Sequence, residues 1–128
     1  MEFLLDTNVA VHLVDRDLAV FAKVEALNGA LLLSVVTWVE LEGGVYRDPD
    51  YAALRRTRLD AFLPALQVLP FDDAAAQAYR GIVEAAGYSR RKVIDRMIAA
   101  QAIAHGATLV TTNPRDFRDI PGLQMQAW

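Results

Sequence analysis

The chain has no cysteine, two histidines and no long apolar run. Without cysteine there is no disulfide and no thiolate-held zinc. His12 lies in a short helical stretch and His105 directly precedes Gly106, so both read as surface or terminal residues. Zinc is therefore disfavoured. The longest apolar stretches are Ala30 to Leu33 and Val35-Val36, parted by Ser34. They fall far short of the roughly 20 residues that cross a membrane. No basic segment precedes a long apolar stretch, so no secretory signal is expected and a cytoplasmic location suits the chain. A basic surplus is missing too: the net charge is −3, which does not by itself point to nucleic acid.

What is present suits a packed fold. Hydrophobic residues make up 54% of 128 residues, which excludes disorder and allows a core in one domain spanning residues 1–128. Eleven of the 13 basic residues are arginine. They gather as Arg55, Arg56 and Arg58, as Arg90, Arg91 and Arg96 around Lys92, and as Arg115 and Arg118. The arginine fork suits phosphate, although solvated helix faces and surface ion pairs account for such clusters equally well.

Strand and helix patterns alternate along the chain. Phe3-Leu4-Leu5 reads as a buried strand that ends in Asp6-Thr7-Asn8. Helices are expected over Asn8 to Val14 and Asp17 to Leu27, the second stopped by Asn28-Gly29. Ala30 to Val36 reads as a second strand, and Thr37 with Glu40 forms a capping box that opens the next helix. Gly43-Gly44 weakens that helix. Asp48-Pro49-Asp50 is a turn, and Tyr51 to Phe62 is helical. Gln67 to Leu69 is a third strand, Ala74 to Ala86 a helix closed by Gly87, and Tyr88 to Lys92 a basic connection. Val93 to His105 is a helix, Ala107 to Thr111 a fourth strand, and Leu123 to Met125 a short last one. The alternation predicts an α/β fold with a mainly parallel sheet.

Asp6 ends the first strand, Glu40 lies one turn into the helix after the second, and Asp116 follows the fourth. In a parallel sheet all three fall on the carboxyl edge. Asp95 lies in the first turn of the helix that leads back to the fourth strand, and that helix start can face the same edge. Each acid also has a structural use, as a cap or as a complement to a helix N-terminus. Four of them on one edge would repel, and a divalent cation with a preference for oxygen ligands relieves that. Glu42 points differently from Glu40, two residues away on the same helix, and is left out of the site.

With these residues placed, the chain resembles the PIN domain, and more narrowly a VapC-type toxin ribonuclease. The resemblance is carried by Leu5-Asp6-Thr7-Asn8, by Ser34 to Leu41 with Gly44 behind it, by Asp95 to Ala100, and by Val110 to Phe117 through Pro121-Gly122-Leu123 to Trp128. It implies a three-layer α/β/α sandwich and an acidic pocket holding Mg²⁺ or Mn²⁺. Asp6, Glu40, Asp95 and Asp116 match its catalytic acids, with Asp6, Asp95 and Asp116 on the metal. Thr7 and Asn113 match its polar second ring, and the fourth pocket residue is Asp116 or Asn113. It also implies cleavage of RNA to 5′-phosphate and 3′-hydroxyl products, a homodimer, and a small antitoxin that blocks the pocket. Where many relatives carry a small, glycine-containing segment before the third acid, this chain has Ser89 to Ile94. Arg90, Arg91 and Lys92 there are candidates for phosphate contact.

The expected chemistry is metal-assisted hydrolysis of an RNA phosphodiester. Two alternatives differ in class. One is a non-catalytic RNA-binding module, disfavoured because all four acids are present. The other is a metal-dependent small-molecule phosphohydrolase, whose common form needs a second Asp where this chain has Asn8.

Overall fold

The computed structural model describes residues 1–128. Five strands form one all-parallel sheet: β1 (Glu2–Leu5), β2 (Ala30–Ser34), β3 (Gln67–Leu69), β4 (Thr108–Thr111) and β5 (Met125–Ala127). Their spatial order is β3-β2-β1-β4-β5. Six helices complete it: α1 (Thr7–Val14), α2 (Leu18–Glu25), α3 (Val35–Tyr46), α4 (Ala52–Phe62), α5 (Asp73–Ala86) and α6 (Val93–His105).

Successive residues of a strand point to opposite faces, so a sheet covered on both sides needs unbroken apolar strands. That is what β1, β2 and β4 supply. Leu4, Leu32 and Leu109 pack with Ile82, Ile98 and Phe117 under α5 and α6. Leu33 packs on the other face with Ala10, Val14, Leu41, Val45 and Leu59 of α1, α3 and α4. Phe3, Leu5 and Val110 face the same way, against Val9 and Val24. The result is three layers, α/β/α, as expected. No helix is long and apolar enough to cross a membrane.

Three boundaries differ from the sequence expectation, each for a local reason. β2 stops at Ser34, because the Ser34 hydroxyl accepts from the Val36 amide and starts α3 there. The Thr37–Glu40 capping box therefore does not form. Helix α2 ends at Glu25, ahead of Asn28-Gly29. Gly29 serves a close approach instead, since a Cβ there would collide with the Met1 carbonyl. The last strand forms two residues later than expected, over Met125–Ala127.

The run between β3 and β4 decides where Asp95 goes. Arg96 Nη1 donates to the Gly87 carbonyl at 2.6 Å, which joins the end of α5 to the start of α6. At its far end α6 brings His105 within 3.5 Å of Glu2, at the beginning of β1. The helix thus runs from the carboxyl edge of the sheet to the amino edge. Its first turn, with Asp95, is left beside Asp6, and Gly106 then turns the chain in the left-handed region at φ 67°.

Candidate active site at the carboxyl edge

The strand order reverses between β1 and β4, with β2 and β3 on one side and β5 on the other. Open parallel sheets form a crevice at such a point, outside the carboxyl ends of the strands. Asp6 sits there, 4% exposed, and caps α1. One carboxylate oxygen accepts from the Thr7 amide at 2.8 Å, the other from the Thr111 hydroxyl at the end of β4, at 2.7 Å. Its own amide donates to the Val110 carbonyl at 2.9 Å, so backbone and side chain both fix it across the switch point.

Glu40 arrives from α3. Because α3 starts at Ser34, Glu40 has no part in the cap. It accepts from the Thr7 hydroxyl at 2.8 Å, and Thr7 Oγ1 lies 2.9 Å from Thr37 Oγ1. The Thr7 hydroxyl has one proton. With that proton given to Glu40, the buried Thr37 donates to Thr7, and a relay Thr37–Thr7–Glu40 links α1 to α3. Sequence reasoning missed two residues that hold the acids in place, Thr37 in this relay and Thr111 on Asp6. Thr37 reads as a cap, and Thr111 as an ordinary strand end.

Asp95 and Asp116 close the ring. Burial pushes the Asp95 carboxyl up to about 6, and the nearby charges of Asp6, Asp116 and Glu40 push the same way. Burial raises Asp6 as well, against its two donors, with Asp116 and Glu40 adding to the rise. Charges that act on Asp6 and Asp95 in this way lie near both carboxyls. Asp116 acts on both Asp6 and Asp95. Asn113, exposed, uses its backbone amide to reach Thr111 Oγ1 at 2.9 Å, and its side chain makes no hydrogen bond.

The other acids and bases sort themselves by pairing. Glu42 is held by Arg56 at 2.6 Å, away from the ring, as expected. His12 and His105 are exposed and lie 3.4 and 3.5 Å from Asp17 and Glu2. Arg90 and Arg91 are exposed in a 3-10 turn beside Asp95, whereas Lys92 is paired with Asp119 at 3.2 Å. Arg96, which sequence grouped with that basic run, is 2% exposed and pairs with the same Asp119 at 3.1 Å. The basic connection is thereby tied to the segment that carries Asp116.

The donor set is all oxygen, carboxylate and hydroxyl, which suits Mg²⁺ or Mn²⁺ and not a soft metal. No three of these acids stand close enough to ligate one ion directly as they lie. Unneutralised carboxylates hold apart, and Mg²⁺ keeps several of its waters, so a site of one or two direct carboxylates is enough for it. By chemistry and by mutual charge, the residues fit a hard divalent cation.

Comparison with known proteins bears on the family and the fold. The family model described as PIN domain matches residues 3–123. Ribonuclease VapC2 of Rickettsia felis is 30% identical, the match covering 100% of this chain and 98% of that protein. The tRNA(fMet)-specific endonuclease VapC of Shigella flexneri is 27% identical over the same shares. Among solved structures, VapBC2 from Rickettsia felis bound to a DNA fragment from its promoter superposes with a TM-score of 0.86 at 30% identity. That match covers 100% of this chain and 99% of that one.

Proposed function

The chain belongs to the PIN domain family, and we propose that within it the protein is a VapC-type toxin: a divalent-cation-dependent endoribonuclease restrained by a cognate antitoxin. The observation that carries this is the gathering of acids at the β1–β4 switch point, where burial first, and then the charges of Glu40 and Asp116, raise the carboxyls of Asp6 and Asp95. Holding the buried Asp6 and half-buried Asp95 carboxylates beside two further acids costs stability, and a bound cation offsets that cost.

Asp6, Asp95 and Asp116 would hold Mg²⁺ or Mn²⁺. When bound, such an ion lowers the pKa of a water and neutralises charge developing on a phosphate. The chain's own residues do the rest. Thr111 and the Thr7 amide fix the Asp6 carboxylate in one orientation. Thr7 aims Glu40, which is free to orient the attacking water and accept its proton. Asn113 lies on the rim, and exposed Arg90 and Arg91 stand where an incoming phosphate backbone would otherwise meet only carboxylates. The leaving group is the 3′-oxygen of one nucleotide, so the products carry a 3′-hydroxyl and a 5′-phosphate.

Two partners belong to this reading. The antitoxin is supported by the VapBC complexes among the structural relatives. A homodimer is supported by α3, α4 and the turn between them, which leave Val39, Tyr46, Tyr51 and Leu54 exposed. Leu59, on the same helix as Leu54, is fully buried and belongs to the monomer's core, with Phe62 packed beside it. Incubating the purified protein with end-labelled RNA, tRNA included, tests the activity. Cleavage is expected with Mg²⁺ and none in EDTA. Hydrolysis of a small phosphate ester but not of RNA would favour the phosphohydrolase instead.

A further inference from the structure

A cavity of about 380 Å³ lies between α1, α3 and α4, and it shares Thr7 and Glu40 with the acidic ring. Its floor is apolar: Val14, Leu41, Val45 and Leu59 are all buried. Its rim carries Arg47 and Arg55. Neither takes part in an ion pair. Arg55 has only a 3.5 Å contact with the Gly44 carbonyl and stacks 5.7 Å above the Tyr51 ring. Asp15 lies on the same rim, at the end of α1. A volume near the lower end of the roughly 300–1,000 Å³ usual for small-ligand pockets suits one nucleotide and not a folded segment.

Gly44 adds a second observation. It sits inside α3, where glycine weakens a helix, and its backbone is helical, not left-handed. No atom lies within 4 Å of where its Cβ would be, so no close approach requires it. Gly44 lines the cavity, and its missing side chain keeps the space open.

We propose that this cavity seats the nucleotide next to the scissile phosphate, its base on the Val14–Val45–Leu59 floor and its outer phosphate on Arg47 and Arg55. The proposal rests on the ribonuclease reading. Two unpaired guanidiniums beside a carboxylate ring match a strand whose phosphates pass from one to the other, and the apolar floor offers a base a surface of any sequence. The shared Thr7 and Glu40 put floor and reacting phosphate within one nucleotide of each other.

The test uses the full chain in an Asp6→Asn background and a short fluorescein-labelled single-stranded RNA, read by anisotropy across a salt series. Gly44→Met fills the cavity, and Gly43→Met, whose Cβ is equally unobstructed but which does not line it, is the control. Gly44→Met is expected to melt no lower than its parent and to bind RNA at least about tenfold more weakly, with Gly43→Met unchanged. Arg47→Ala/Arg55→Ala is expected to weaken binding and, for the one phosphate both hold, to flatten the log–log salt slope by about 0.7, whereas the corresponding Lys pair keeps the slope. Parent-like RNA binding by Gly44→Met and by the Ala pair overturns the subsite and leaves the ribonuclease reading standing. A parent that binds no RNA overturns both. Loss of antitoxin binding alone, with RNA affinity unchanged, assigns the cavity to a protein partner and overturns the nucleotide.

Discussion

The Thr111 hydroxyl, at the end of β4, donates to the Asp6 carboxylate, at the end of β1, over 2.7 Å. The two residues are 105 positions apart, and the bond closes the crevice where the strand order reverses. A donor to the ionised carboxylate lowers its pKa and opposes the effect of burial. Thr111→Val keeps the shape and removes the donor. At pH 7 it should cost about 1–2 kcal/mol of stability and raise the acid limb of the pH–rate profile. Thermal melts and a pH–rate series check this, with Thr111→Ser expected to restore both.

The raised carboxyls predict an unusual pH dependence for the metal-free protein. The Asp95 carboxyl titrates at about 6 in the fold and near 3.9 in the unfolded chain. Between those values the folded state holds the extra proton, so stability falls as pH rises from about 4 to about 6. Asp6 is shifted in the same direction and adds to the fall. In EDTA, Asp95→Asn should therefore be more stable than the parent at pH 7, by about 1–2 kcal/mol after solvent screening, and equal to it near pH 4. Urea unfolding at the two pH values measures this.

Thr7 is predicted to act through Glu40. Thr7→Val removes the 2.8 Å bond to Glu40 and the hydrogen bond with Thr37. The turnover number should drop by about tenfold, worth about 1.4 kcal/mol of transition-state stabilisation, with little change in KM. Steady-state cleavage kinetics separate the two, and Thr7→Ser should recover most of the rate.

The rim cations are predicted to be unequal. Arg90 and Arg91 are exposed, but Lys92 is occupied by Asp119. Arg90→Ala/Arg91→Ala should weaken RNA binding uniformly across sequences and reduce the salt slope by about 0.7 for each phosphate left without its cation. Lys92→Ala should do much less. Binding isotherms at several salt concentrations distinguish them.

The sequence made the frame and most of the acidic ring legible, and the failures have local causes. Asp6 stands out because an apolar strand ends on it, and Asp116 because Asn113-Pro114 marks a turn after β4. The start of α3 is hard to read because Val35 and Val36 are β-branched and continue the strand pattern, whereas a serine cap ends the strand first. That error hides Thr37 and gives Glu40 a capping role that the Thr7 hydroxyl excludes. Asp95 can be placed only once α5 and α6 are seen to pair through Arg96 and Gly87. Arg96 itself is illegible, since nothing in a basic run marks the one member that is buried against Asp119. The cavity beside Glu40 is made by three helices meeting, and Gly44 is its one sign in the sequence.

That Asp6, Asp95 and Asp116 form one divalent-cation site that, with Glu40 beside it, hydrolyses RNA is tested most directly by measuring Mn²⁺ binding and RNA cleavage together. Wild type, Asp6→Asn and Asp95→Asn would be compared by calorimetry and by cleavage of labelled RNA, with circular dichroism to check the fold. Both variants should keep their fold, bind Mn²⁺ at least about tenfold more weakly, and lose at least about a hundredfold in cleavage rate. Wild-type cleavage undiminished in EDTA, or full cleavage by either folded variant, would contradict it.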